Sequence, residues 1–289
     1  MGADLVNLSA AVPDLFRRAG EVLGWPVIYP TPPVSLDLTL YTQPAIYTVS
    51  AAMTEVLREW GIEPAAAAGH SAGEYAALYA AGAWDFETGL RVIAERARLM
   101  HETKETGAMA AVLGLAPDVV EEVCAHYDSG TVGVANFNSP KQTVISGRCD
   151  AVEGVAPRLK ERGARRVIPL AVSGAFHSPL MREAQDAFRV FLDSIPLESP
   201  RLTWISNHHA RPERSPDGIR RRLVEQFCSP VRWIETMAFL EGLVTEAVEV
   251  GPGEVLCGLA KSCCATLECK KTSSAEGLLA WRERHGAPA

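Results

Sequence analysis

The stretch Ala65 to Ala81, AAAAGHSAGEYAALYAA, constrains this chain more than any other. Ala65 to Ala68 is a short apolar run, too brief for a helix and suited to a buried strand. Gly69-His70-Ser71-Ala72-Gly73 follows and fits G-x-S-x-G, in which a strand turns sharply into a helix with a serine on the turn. Glycines flank the serine because a strained turn leaves little room for side chains. The hydroxyl then lies at a helix N-terminus, where free N–H groups and the helix dipole favour a developing oxyanion. The rival reading is an ordinary Gly-Ser turn. The apolar run before it and the Ala-rich helix from about Ala72 to Ala81 favour the strand–serine–helix reading.

A nucleophilic serine needs a base. The histidines are His70, His101, His126, His177, His208, His209 and His285. A sharp turn points His70 away from its neighbour. His126 ends a helix and His285 lies near the C-terminus. His208 and His209 follow a strand end and remain candidates. His177 is the strongest by position, in Gly174-Ala175-Phe176-His177-Ser178-Pro179, where the chain returns from one domain to another. Clefts between domains are common places for active sites.

Arg96 is anomalous. Placing residues 86–100 at 100° each puts Phe86, Leu90, Ile93, Ala97 and Met100 on one stripe, and Arg96 falls inside it. A buried arginine needs a partner. Either a structural carboxylate pairs with it, or it offers its planar fork to a ligand anion.

Helical and strand patterns alternate along most of the chain, which predicts an α/β fold. Helices are expected at 3–22, 42–60, 85–102, 179–195, 219–227 and 231–243, with strands at 202–206 and 247–250. The middle has a different order. Strands at 108–115, 131–137, 142–146 and 165–172 alternate with helices at 117–127 and 150–162. That is βαββαβ, the ferredoxin-like arrangement. The expected organisation is a discontinuous large domain, 1–107 and 173–268, a small domain inserted at 108–172, and a polar, frayed tail at 269–289.

Composition excludes several classes. There are 28 basic and 35 acidic side chains, a net charge of −7. A mildly acidic chain is a poor nucleic-acid binder. No run approaches a membrane span. The first residues lack the basic and apolar regions of a secretory signal. The expected location is the cytoplasm, or an organelle matrix if a longer N-terminus exists. Seven cysteines, an odd number in a large chain, predict reduced thiols. Cys257, Cys263, Cys264 and Cys269 crowd the C-terminal region without a CxxC pair, so no metal site is expected.

Taken together, the chain resembles the malonyl-CoA:acyl-carrier-protein transacylase family, which includes the acyltransferase domains of polyketide synthases. The matching segments are Tyr41 to Ala45, Gly69 to Tyr75, Arg96 with Met100, Gly107 to Ala110, Asn136 to Pro140, Ser173 to Met181, Gln226 with Pro230 to Trp233, and Glu249 to Gly253. GHSxGE followed by FHS after an insertion is highly specific. The resemblance implies an α/β-hydrolase-like large domain with a ferredoxin-like insertion, and ping-pong malonyl transfer in fatty acid biosynthesis. By that resemblance Ser71 is the nucleophile and His177 its base. The Gln226 backbone carbonyl orients the base, and Arg96 binds the free malonyl carboxylate. Phe176 crowds an extra methyl on the acyl group, and the Ala72 backbone N–H stabilises the oxyanion. The substrate is malonyl-CoA and the acceptor is the phosphopantetheine arm of acyl carrier protein. The resemblance implies no permanently bound cofactor, and the enzyme is expected to be a monomer.

The family opens with a β-strand and a G-Q-G-S-Q loop whose glutamine lies in the oxyanion hole. Met1 to Leu5 falls at or just after that segment, so the sheet is expected to carry a gap and the second oxyanion donor to be missing. An internal start explains this most simply. A polyketide-type acyltransferase, a serine thioesterase or esterase on the same elbow, and a weakened or non-catalytic member are the alternatives.

Overall fold

The structure is a computed structural model that describes residues 1–103, 106–127, 130–172 and 174–285. The expected first helix is two pieces, a 3-10 turn at Ala3–Asn7 and helix α1 at Ala11–Leu23. Helix α2, Thr39–Glu59, buries Tyr47, Val49, Met53 and Val56. Strand β1, Ala66–Ala68, leads through the glycine-flanked turn into α3, Gly73–Ala80. Helix α4, Phe86–His101, starts at Asp85, whose side chain accepts the Thr88 N–H at 2.7 Å and satisfies a free helix-end donor. One large core gathers α1 to α4 with Phe188, Leu192, Trp204, Leu223 and Phe227 from the C-terminal half.

The middle of the chain runs β2 (Gly107–Leu113), α5 (Pro117–Tyr127), β3 (Val132–Ser139), β4 (Gln142–Arg148), α6 (Cys149–Glu161) and β5 (Arg166–Pro169). Its strands form an antiparallel sheet in the order β3-β4-β2-β5, with the ferredoxin-like connections. The two-residue period of β2 separates its faces. Ala110 and Val112 pack with α5 and α6 in a core of their own. Met109 and Ala111 face the other way, with Ala135, Val144 and Phe176. The edge of β3 is covered from outside. Phe137 N donates to Val231 O and Val231 N to Ala135 O, each at 2.9 Å.

A 3-10 turn at Pro179–Met181 then leads to α7 (Arg182–Asp193), β6 (Thr203–Ile205), α8 (Pro216–Glu225), a turn at Gln226–Cys228 and α9 (Trp233–Glu241). Strand β7 (Glu246–Glu249), α10 (Val255–Cys263), β8 (Glu268–Lys271) and α11 (Ala275–His285) complete the chain. The parallel strands form two separate pairs, β1 with β6 and β7 with β8. A cavity of about 440 Å³ is lined by β1 and β7 and by Leu57, Trp233, Met237 and Leu256.

Two expectations are corrected. Residues 269–285 are not a frayed tail. Strand β8 pairs with β7, and Leu278 and Trp281 of α11 are buried. Two apolar side chains spaced by three on a helix gain enough by burial to hold the segment down. The cysteines are not all reduced either. Cys257 and Cys269 form a disulfide, because β8 brings Cys269 within 5.0 Å of Cys257, Cα to Cα. The Glu249 carboxylate lies against this pair and accepts the Leu256 and Cys257 N–H groups, each at 2.8 Å. The expected boundary at Ser173 and the residues 286–289 lie outside the described residues.

Candidate active site

Ser71 sits on the turn between β1 and α3 with φ +50°, the strained left-handed conformation the motif demands. The need for glycine is plain at Gly69. A Cβ there would lie 2.0 Å from the Gly73 backbone. The turn is held by a residue that sequence reasoning missed. Asn207, just past β6, accepts the Ser71 N–H on Oδ1 at 2.7 Å and donates from Nδ2 to Gly69 O at 2.6 Å. Asn207 is wholly buried. No motif marks it, because a strand end followed by Ser206-Asn207 looks like any loop.

His177 is brought to the serine. Its Nε2 lies 2.7 Å from Ser71 Oγ, and its Nδ1 lies 2.9 Å from Gln226 O. A carbonyl only accepts, so Nδ1 carries the proton and Nε2 is left to receive one from the hydroxyl. Burial, together with the Arg96 charge, pushes the imidazole down to about 3, and the Gln226 carbonyl opposes that shift. The imidazole is therefore neutral at ordinary pH. His177 also has a positive φ, +60°, which aims its ring out of the returning loop.

Arg96 is 1% exposed and reaches the same point from α4. Its Nη2 lies 3.1 Å from Ser71 Oγ and 2.9 Å from Gln226 Oε1, and its Nη1 donates to Gln43 Oε1. The guanidinium rests over the rings of Tyr75 and Phe227, at 5.4 and 5.7 Å. Every acceptor it meets is neutral. Burial lowers its pKa, with Tyr75 and Glu74 opposing. A buried cation without a paired carboxylate is costly, and a ligand anion would offset that cost.

Glu74 and Gln43 also belong to this network, and both had a legible signal. Each is a polar side chain on an apolar helix face, as Arg96 is. Burial pushes the Glu74 carboxyl up to about 8, opposed by the Asn207 N–H, the Arg96 charge and the Gln226 amide. Phe176 lies beside the base and packs on the helix-free face of the antiparallel sheet. The Ala72 N–H opens α3 directly after Ser71.

The other histidines lie elsewhere or are engaged. His70 Nε2 is 2.8 Å from Asn138 Oδ1, with its ring edge-on to Trp233. His126 Nδ1 bonds Glu122 O at 2.8 Å. His208 lies 3.5 Å from the Glu225 carboxylate. The structure thus brings together Ser71, Ala72, Arg96, Phe176, His177 and Gln226, and leaves His208 and His209 outside this hydrogen-bonded group.

Comparison with known proteins gives the same direction. The malonyl CoA-acyl carrier protein transacylase of Synechocystis sp. is 38% identical over 281 residues, 96% of this chain and 94% of that protein. The protein of that name from Bacillus subtilis is 40% identical over 270 residues, 90% of this chain and 85% of its own. The crystal structure of an acyl carrier protein S-malonyltransferase from Vibrio cholerae matches with TM-score 0.93 and 38% identity, over 96% of this chain and 94% of that one. A malonyl-transacylase solved in complex with its type II polyketide acyl-carrier protein matches with TM-score 0.92 and 37% identity, over 98% and 94%. The acyl transferase domain matches residues 1–277. By that match and by these relatives, the chain belongs to the acyl transferase domain family and, within it, to the malonyl CoA-acyl carrier protein transacylases.

Proposed function

We propose that this chain moves the malonyl group of malonyl-CoA onto Ser71 and then onto the phosphopantetheine thiol of acyl carrier protein. The observation that carries the reading is the meeting of two groups at Ser71 Oγ. A neutral imidazole lies at 2.7 Å and a buried guanidinium with only neutral acceptors lies at 3.1 Å. A simple serine hydrolase has no need of that cation.

Ser71 Oγ attacks the thioester carbonyl while His177 Nε2 takes its proton. The Ala72 N–H receives the developing oxyanion. The intermediate collapses, the C–S bond breaks, and His177 returns the proton to the departing CoA sulfur. The carrier thiol then gives its proton to His177 and attacks the Ser71 ester. Ser71 leaves and takes that proton back. The Gln226 carbonyl holds the imidazole in one tautomer throughout. Arg96 binds the free malonyl carboxylate and so favours malonyl over acetyl. Phe176 adds bulk near the acyl group, which disfavours a methyl branch by ~1–3 kcal/mol.

The product serves fatty acid synthesis, with polyketide synthesis as the second reading, since relatives named for polyketide biosynthesis also match at 41–42% identity. Residues 1–107 with 173–268 act as the large domain, joined by β8 and α11, and 108–172 as the insertion, a division supported by their separate cores. No helix of the described residues is long and apolar enough to cross a membrane. The proposal is a cytoplasmic monomer with no resident cofactor or metal.

Incubation with malonyl-CoA, with and without acyl carrier protein, is the test. Transfer should far exceed release of free malonate, and intact-mass spectrometry should find one malonyl adduct that Ser71→Ala abolishes. Predominant hydrolysis, or an adduct that survives in Ser71→Ala, would refute the reading.

A further inference from the structure

Glu74 takes no part in the steps above, yet it is fully buried one helical turn beyond Ser71. Its two carboxylate oxygens hold two different residues. Oε1 accepts the Asn207 backbone N–H at 2.6 Å, and Oε2 accepts the Gln226 side-chain amide. Those two residues reach everything else. Asn207 clamps the Ser71 turn. Gln226 holds His177 with its backbone carbonyl, receives Arg96 Nη2 on Oε1 and donates from Nε2 to Ser71 O at 3.2 Å.

The direction of the Gln226 amide matters. An amide side chain has a donor end and an acceptor end. Arg96 has only donors, so the amide oxygen must face it. Something must then face the NH₂ end, and that position must be an acceptor. A carboxylate there decides the direction, because it cannot donate. The same carboxylate supplies a negative charge near the Arg96 cation without touching it. A direct Glu–Arg pair would occupy the fork, and a substrate carboxylate would have to displace it. The amide between them replaces a charged competitor on the fork with a neutral one.

We propose that Glu74 is a positioning residue that orients the Gln226 amide, so that Arg96 is held in place by neutral acceptors alone and a substrate carboxylate meets no charged competitor on the fork. This rests on the malonyl-transfer reading. It adds that carboxylate selection depends on a second acid that never touches substrate. The N–H donor on each carboxylate oxygen favours the ionised form and opposes the burial that pushes this carboxyl up to about 8, so the role is fullest above that pH, where the test is run.

Glu74→Gln is the test, since it keeps the shape and places an NH₂ among donors. The Gln226 amide must turn, and its NH₂ then meets Arg96. kcat/KM is measured for malonyl-CoA and for acetyl-CoA, which has no carboxylate and does not use the fork. The ratio of the two should fall at least about tenfold. Equal losses with both substrates, or no loss with either, would overturn the proposal. Glu74→Asp covers the case of a variant that does not fold. It retains the anion, so the malonyl preference should stay within about threefold of the parent even where both rates fall, and a collapse of the preference would refute the role. A parent protein with no preference for malonyl would instead refute the proposed function and leave this question separate.

Discussion

Replacing Asn207 by alanine strikes a side chain that ties the Ser71 turn to the neighbouring strand. Two backbone groups lose their partner, the Ser71 N–H held at 2.7 Å and the Gly69 carbonyl held at 2.6 Å. Both lie beside buried Asn207, and an unpaired buried polar group costs ~1–3 kcal/mol. The expected loss of stability is therefore ~2–4 kcal/mol, with water entering the vacated space taking up the remainder. For a chain of this size that is a fall in Tm of roughly 3–7 °C. The turn itself is also released. Ser71 holds φ +50° against a strain of ~1–3 kcal/mol, and a turn free to relax withdraws the hydroxyl from His177. A ten- to hundredfold slower acylation is expected, since ~1.4 kcal/mol is tenfold in rate. Urea unfolding gives the first quantity, and malonyl-adduct formation followed by intact mass gives the second. A variant within ~0.5 kcal/mol of the parent, with an unchanged acylation rate, would refute the clamp.

Other outcomes are accessible with the same assays. Arg96→Ala should lower malonyl transfer by about 10- to 150-fold and acetyl transfer far less, because a charge-assisted bond to a carboxylate is lost only with malonyl. Equal losses would count against a carboxylate clamp. The imidazole of His177 is neutral down to about 3 instead of the usual 6.5. Labelling of Ser71 by an uncharged serine reagent should therefore show no acid break near 6.5 between about pH 5 and 8, and a half-loss there would refute the assignment. The same shift affects stability. Below 6.5 the unfolded chain binds a proton that the folded one refuses, so this contribution is full above 6.5 and drains away as pH falls towards 3. Finally, Cys257→Ser should lower stability by ~3 kcal/mol through the short loop that the disulfide closes. Thiol counting on the denatured, unreduced protein should leave Cys257 and Cys269 unlabelled, and their labelling would refute the bond.

Much of the site was legible because its residues break local rules. A serine between glycines, an arginine on an apolar stripe and a histidine after a domain return each stood out before any coordinate was known. The alternation of α and β, and the βαββαβ order, followed from periodicity. Asn207 did not stand out, because a polar residue after a strand is unremarkable until its neighbours are known. The C-terminal segment misled for a different reason. Its composition is polar, and only the meeting of β8 with β7 reveals why Leu278 and Trp281 matter. The disulfide was hidden likewise, since Cys257 and Cys269 belong to a helix and a strand whose approach no spacing rule encodes. Arg96 shows the limit most clearly. Its burial could be read from the helix, but that its partners are neutral became visible only with the three acceptors around it.

The pairing of β1 with β6 is also a measuring device. Ala68 stands opposite Ile205, and the two strands run parallel. Ser71 leaves the first strand and Asn207 leaves the second, so their separation is set by which rungs of the ladder align. A slip of one rung would carry the serine about 3.3 Å along its strand, more than the whole length of the bond between them. Three rungs, Ala66 to Ala68 against Thr203 to Ile205, keep that alignment, and the other flank of β1 borders the 440 Å³ cavity. The accuracy of the nucleophile's placement is thus decided in the sheet behind it, by a calibration three residues long.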